Sequence, residues 1–146
     1  MTGEVIGLAK RARLRAPMET LEAAEISQTG GLEGDARGAS RTRQVTILFV
    51  EDWQAAAAQT DPSAPWTTRR ANVLVRGLVN PRAAGGLIQI GGARVRILGE
   101  TEPCSRMDAA VPGLRAALTP DWRGGLFGRV EQDGRVALGD PAQWLD

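Results

Sequence analysis

The chain reads as a mainly β protein, barrel-like, with a few short α-helices, and three observations predict this. Apolar runs of strand length recur along the whole sequence, glycine or proline turns separate them, and only two segments have helical composition. Roughly seven or eight strands against two short helices favour a mainly antiparallel barrel over a doubly wound sheet. A length of 146 residues suits a single domain spanning 1–146, with enough sequence for one hydrophobic core.

Val5 to Ala9 is a short β-prone run. The basic stretch Lys10 to Arg15 after it reads as a solvated strand end or loop. Pro17 interrupts, and Met18 to Ile26 forms a second apolar-polar segment, so the N-terminal part reads as a β-pair ending at the turn cluster Gln28 to Gly31. Gly30 to Gly38 is dense in glycine and carries both charge signs. That is the makeup of a loop that bends tightly or approaches a ligand, with Asp35 and Arg37 either bracing the turn or contacting the ligand. No Gly-Lys-Ser/Thr follows, so it is not a phosphate-cradling P-loop.

Gln44 to Val50 is the clearest buried strand, and Arg43 stands at its mouth. Glu51 to Gln59 is alanine-rich and helix-prone, with Trp53 toward the core, and Thr60 to Thr68 is a loop. Arg69, Arg70 and Asn72 then precede another strand ending near Gly77. Two strands that both begin with arginines suggest that their starts converge on one anion-binding cavity, the other reading being solvated strand starts. Leu87 to Gly99 reads as a hairpin about Gly91-Gly92. Met107 to Leu118 reads as a short helix that Pro112 breaks or delays. Trp122 to Glu131 is a glycine-rich entry into a strand carrying Arg123, and a short last strand follows over Arg135 to Pro141.

Charge is nearly balanced at +1, and Lys10 is the sole lysine among eighteen basic residues. An arginine bias suits forked recognition of phosphate or carboxylate. Arginines and acids are interspersed and tyrosine is absent, so a nucleic-acid partner is not expected. There is no histidine, which excludes Ser-His-Asp and Cys-His pairs, and one cysteine without imidazole makes zinc unexpected. A lone cysteine forms no internal disulfide. The N-terminus lacks a signal-peptide core and no apolar run is of membrane-spanning length, so the expectation is a cytoplasmic protein with no membrane partner.

Cys104 sits in Gly99 to Asp108, between the end of a strand and the start of a helical segment, just after Pro103. A thiol so placed among arginines is favoured as the thiolate, a good nucleophile and a soft metal ligand, although Glu102 opposes that charge. The alternative is a small buried hydrophobe, the commoner role of a lone cysteine.

Gly34-Asp35-Ala36-Arg37, Arg43 to Leu48, Arg69 to Val73, Ile90-Gly91, Pro103-Cys104, Arg123-Gly124-Gly125 and Gly139-Asp140, in that order, resemble the MOSC domain, named for the C-terminal part of molybdenum-cofactor sulfurase. The resemblance spans nearly the whole chain. It implies a β-barrel-like fold, a single reactive cysteine at Cys104, an Arg-Asn element at Arg70 and Asn72 with Ala71 inserted, and a Gly-Asp loop at Gly34 and Asp35. Some relatives have histidines near that loop or before the cysteine. This chain has Gly38-Ala39-Ser40 and Glu102 there, so a histidine proton donor does not carry over.

Three functions follow as expectations. In the first, Cys104 carries sulfur as a persulfide received from a cysteine desulfurase or other sulfur donor, or ligates molybdenum. Arg43, Arg69, Arg70 and Arg123 then hold the phosphate of molybdopterin, the molybdenum cofactor, or a related small anionic ligand, with Gln44 and Asn72 as amide donors and Asp35 nearby. The resemblance also implies a family-level link to pyridoxal phosphate; no zinc or haem is expected. The second is a molybdenum-dependent reductase of N-hydroxylated compounds, an activity of larger relatives that carry a further N-terminal β part. The third is a non-catalytic anion- or metabolite-binding barrel in which Cys104 only packs. The oligomeric state is open.

Overall fold

The computed structural model describes residues 2–145. Strand β1 (Gly3–Arg11) buries alternate positions, Gly3, Val5, Gly7, Ala9 and Arg11, and also Leu8 beyond a register shift between Val5 and Gly7. Strand β2 (Met18–Thr20) folds back antiparallel onto β1. The expected N-terminal pair stops there, because β3 (Ala23–Ser27) and β4 (Gly31–Leu32) turn away into a small separate sheet.

Strand β5 (Val45–Phe49) is buried at all five positions. The chain then passes directly into helix α1 (Val50–Ala58) and returns as β6 (Val73–Arg76), parallel to β5. A helical crossover of this kind covers the sheet face, which is why β5 reads as an uninterrupted apolar run rather than an alternating one. Val45, Ile47 and Phe49 point into the barrel, whereas Leu48 faces outward onto the helices.

Strands β7 (Leu87–Ile90) and β8 (Ala93–Glu100) form the hairpin about Gly91-Gly92, with Gly91 at φ 56°. The segment expected as one helix is two, α2 (Ser105–Ala110) and α3 (Leu114–Leu118), divided at Pro112 and at Gly113, whose φ is 86°. Strand β9 (Leu126–Gln132) starts after Gly125, which has φ 99° and whose Cα lies against the Ile47 carbonyl, leaving no space for a side chain.

Strand β10 (Gly134–Ala137) pairs with β3. The last strand of the barrel is not the one expected over 135–141 but β11 (Pro141–Leu145). Pro141 looks like a terminator in the sequence, yet as the first residue of a strand its missing N–H costs nothing, and its carbonyl accepts from the Gly91 amide at 3.1 Å. Around the barrel the order is β1, β6, β5, β9, β8, β7, β11. The circle closes where Gly3 and Glu4 meet Ala142 and Pro141. Every neighbouring pair of the seven is antiparallel except β5 with β6.

Two apolar cores follow from this geometry. Val5, Ile47, Phe49, Val73, Val75, Ile88, Val95, Ile97 and Leu126 fill the barrel. Leu48 and Leu74, on the outer face of the same strands, pack with Trp53, Met107, Leu114 and Leu118 of the three helices. Each of the fully buried leucines contributes about 2 kcal/mol by burial. Together they pin α2 against the barrel wall, and with it the loop that carries Cys104.

Candidate functional site

The outward-facing residue of β5 next to Leu48 is Thr46, and over it lies a cavity of about 370 Å³. Its walls are the end of β1, the loop over residues 37–43, the turn before β6, and the segment from Thr101 to Met107. Seven arginines line it: Arg11, Arg37, Arg43, Arg69, Arg70, Arg106 and Arg115. The lining carries one carboxylate, Glu102, and one thiol, Cys104, which is exposed. It includes no lysine; Lys10 instead lies against Gly34.

Arg69 is held in place by its surroundings. Trp66–Arg69 form a single 3-10 turn, and the guanidinium of Arg69 is buried. It donates from Nε to the Gly124 carbonyl at 2.9 Å and from Nη2 to the Thr101 carbonyl at 2.7 Å, with Nη1 3.9 Å from the Met107 sulfur. These bonds tie the turn before β6 to both ends of the segment that presents Cys104. Burial lowers its pKa to about 10, with the charge of Cys104 opposing the shift and Arg43 and Arg11 adding to it. A guanidinium with that pKa is still charged at neutral pH, so a buried positive charge stands beside the thiol without a carboxylate bonded to it.

Arg70 adopts a left-handed backbone, φ 65°, which costs a non-glycine residue roughly 1 kcal/mol. Its Nη2 donates to the Ala16 carbonyl at 2.6 Å and its own carbonyl accepts from Arg11 Nη2 at 2.8 Å. Arg11, expected in a solvated segment, is buried because it falls in phase with Val5 and Ala9 on β1. Asp35 accepts from its Nε at 3.2 Å and its backbone amide at 2.9 Å, and from the Arg37 amide at 3.1 Å. Arg43 lies over the Phe127 ring, 5.3 Å from the centroid.

Clustering has an electrostatic signature. Burial first, then Arg11 and Arg43, lower the pKa of Arg37, and burial, then Arg11 and Arg106, lower that of Arg70. The cations repel one another, and Asp35 offsets only part of this. On the opposite side, burial followed by Glu102 raises the carboxyl of Glu100, with Arg69 opposing.

Of the residues singled out in the sequence, Arg43, Arg69, Arg70 and Cys104 meet in this cavity. Asp35 lies behind it, holding Arg11 and the Arg37 backbone. Gln44 is committed elsewhere: its Nε2 donates to the Gln28 and Gly38 carbonyls and its Oε1 accepts from the Val130 amide. Asn72 likewise bridges strands, accepting from the Thr46 amide and hydroxyl and donating to the Ala9 carbonyl. Arg123 is outside the lining, with Nη1 on the Ala117 carbonyl and its charge felt by Asp52 of α1. Arg11, Arg106 and Arg115 were not assigned to the site from sequence, and Arg37, which lines the cavity, carried ligand contact only as the alternative to bracing its turn. For Arg11 the available signal was its parity with the buried face of β1; for Arg106, its place two residues after Cys104.

As to a resident group, no cluster of three or more His, Cys, Asp or Glu able to hold a metal ion occurs among the described residues. The donor set is instead one soft sulfur and a wall of forked cationic donors, which fits a cofactor that brings its own metal and an anionic tail. Among the described residues no helix is long and apolar enough to cross a membrane.

A family model described as the MOSC domain matches residues 34–143. The fold is similar to the crystal structure of the YuaD protein from Bacillus subtilis, with a TM-score of 0.79 and 21% identity over 99% of this chain and 96% of that one. It is also similar to that of YiiM from Escherichia coli, with a TM-score of 0.71 and 14% identity over 98% of this chain and 70% of that one. Among curated proteins, none matches the sequence.

Proposed function

The chain belongs to the MOSC domain family, and from that premise we propose that its cavity binds an anionic, phosphate-bearing ligand beside a thiol that carries sulfur. The family is generally linked to the molybdenum cofactor, and that cofactor is the ligand this reading favours. The supporting observation is the exposed Cys104 in one cavity with seven arginines. In this reading Arg37, Arg43 and Arg70, which line the cavity, would hold the phosphate, and Cys104 is the ligand a soft metal would take. When bound, the cofactor supplies a molybdenum centre that accepts sulfur ligands.

The chain's own residues perform the sulfur step. The Cys104 thiolate attacks the terminal sulfur of a persulfide on a donor of the cysteine desulfurase class. The donor's sulfur–sulfur bond breaks as a new one forms at Cys104, the donor leaves as a thiolate, and no net oxidation occurs. Arg69 anchors the Thr101 and Gly124 carbonyls, and so fixes the segment that presents the sulfur. Its charge stabilises the anionic sulfur before and after transfer.

The test is incubation with a cysteine desulfurase and labelled cysteine, followed by intact-mass measurement. The expected result is a gain of one sulfur atom, reversed by a thiol reductant and absent in Cys104→Ser. Label retained by Cys104→Ser would refute the carrier role. A second reading, anion binding without sulfur chemistry, is favoured by Glu102, whose carboxylate shares the cavity and opposes a neighbouring thiolate. It predicts no mass gain on the wild-type protein.

A further inference from the structure

Between β1 and β2 the chain runs through Ala12-Arg13-Leu14-Arg15, four residues that are all exposed. Leu14 is 61% exposed, and the arginines on either side of it form no ion pair among the described residues. The loop is nevertheless fixed at both ends. Arg11, at its start, is held through its amide by Asp35 and donates from Nη2 to the Arg70 carbonyl at 2.8 Å. Arg70 in turn donates from its own Nη2 to the carbonyl of Ala16, at the far end, at 2.6 Å. The Ala16 amide closes a turn onto the Arg13 carbonyl at 3.1 Å, and Arg15 within that turn has φ 68°. A left-handed backbone is unfavourable for a non-glycine residue, so the fold holds Leu14 in a strained projection that solvation alone does not require.

Both anchors, Arg11 and Arg70, line the cavity that contains Cys104, so the loop adjoins that cavity without belonging to its lining. A stable protein interface covers about 800 Å² on each partner. That is far wider than the mouth of a 370 Å³ cavity, so a protein that brings sulfur to Cys104 also covers the loop. The loop adds two cations and no carboxylate to a face whose cavity carries seven arginines and one acid, Glu102, although the chain as a whole is nearly neutral. The complement of such a face is acidic. Arginine is favoured at protein interfaces, and a projecting apolar side chain supplies the contact that excludes water there. One leucine offers too little apolar surface to hold the loop on a lipid bilayer.

We propose that Arg13, Leu14 and Arg15 form the docking surface for the protein that donates sulfur to Cys104, and that this partner meets them with an acidic face. This rests on the sulfur step of the proposed function and is separate from what the cavity binds. The Cys104 thiolate attacks the terminal sulfur of the donor's persulfide and the donor leaves as a thiolate, as above. The loop changes only how often the two proteins meet in register.

The test compares two sulfur donors, a cysteine desulfurase charged with labelled cysteine and glutathione persulfide, on variants checked for folding by circular dichroism. The double variant Arg13→Glu, Arg15→Glu is expected to lower the second-order rate of loading from the desulfurase about ten-fold. Leu14→Ser should lower it about five-fold, through lost apolar contact. With glutathione persulfide, which needs no docking surface, each variant should load Cys104 at the wild-type rate. Raising the ionic strength should slow the protein donor on the wild type and much less on the double variant. A control with the same change of charge, Arg129→Glu, Arg135→Glu, falls on exposed residues outside the cavity lining and should load as the wild type does. Unchanged loading by the desulfurase in the loop variants, equal slowing with both donors, or equal slowing in the control overturns the proposal. So does an effect of the double variant confined to sedimentation with vesicles of anionic phospholipid, which would assign the loop to a membrane surface. If glutathione persulfide loads the wild type and the desulfurase does not, the sulfur step stands and the docking surface alone is refuted. If neither donor loads it, the sulfur step itself has failed and the docking surface falls with it.

Discussion

Arg11 and Asp35 form an ion pair, Nε to Oδ1 at 3.2 Å, in which the side chains are 7% and 0% exposed. The pair joins the end of β1 to the glycine-rich loop, and Arg11 passes the link on to the Arg70 carbonyl. Three segments distant in the chain are thereby fixed around one wall of the cavity. Removing one member of such a pair strands a charge in the interior. Asp35→Ala is expected to cost about 3 kcal/mol, read as a lower urea midpoint with unchanged slope. A loss under about 1 kcal/mol would mean that water reaches Arg11 and the pair is not structural.

Asn72 should be among the least replaceable polar residues. Its amide serves β1 and β5 at once, through the Ala9 carbonyl and the Thr46 amide and hydroxyl. Asn72→Ala leaves those groups without partners and is expected to destabilise by about 3 kcal/mol. Thermal unfolding checks this, and hydrogen exchange at Thr46 should accelerate in step.

A pH effect is expected at Asp52, at the start of α1. Burial pushes its carboxyl above the ordinary value of 3.8, against the Asn80 hydrogen bond and the charges of Arg123 and Arg82, with Glu51 adding to the rise. A raised carboxyl binds its proton more tightly folded than unfolded. The stability it contributes is full below 3.8 and is lost as pH rises through the native value. Asp52→Asn removes this dependence, so the variant should gain on the wild type as pH rises across that window. Because the group is partly exposed, the gain should be under about 1 kcal/mol. Urea midpoints on both sides of the window measure it, and parallel curves would contradict the assignment.

At Gly125 a β-carbon would collide with the Ile47 carbonyl, in a backbone conformation with φ 99° that side chains rarely adopt. Gly125→Ala is expected to cost about 2 kcal/mol. Since the Gly125 carbonyl accepts the Thr101 amide at 2.8 Å, the substitution should also disturb the thiol-bearing segment. Faster or slower alkylation of Cys104 relative to wild type reports that disturbance separately from stability.

Much of the barrel was legible because its strands carry local signals. The run Val45 to Phe49 is apolar at nearly every position since both its faces are covered, and Gly91-Gly92 marks the hairpin turn directly. Strand β11 was hidden because its two partners, β1 and β7, lie far away in sequence and Pro141 imitates a stop. The site divides in the same manner. The convergence of residues at strand starts, such as Arg43 and Arg69, on one cavity could be read from their place in the pattern. Arg123 could not be separated from them, since its direction is set by the positive φ of Asp121 and Trp122 just before it. Asn72 and Gln44 carry donors that sequence counts as free, whereas tertiary partners consume them.

The pairing of Gly3 with Ala142 has a topological consequence. The first and last strands run antiparallel side by side, so Gly3 at the start of β1 and Leu145 at the end of β11 lie at the same rim of the barrel. A circularly permuted gene, with those ends joined by a short flexible linker and new ends opened in the exposed turn near Asp133, would keep every strand beside its present neighbour. The order of strands is thus a closed circle, in which the strands that carry the arginines keep the same neighbours in the permuted chain.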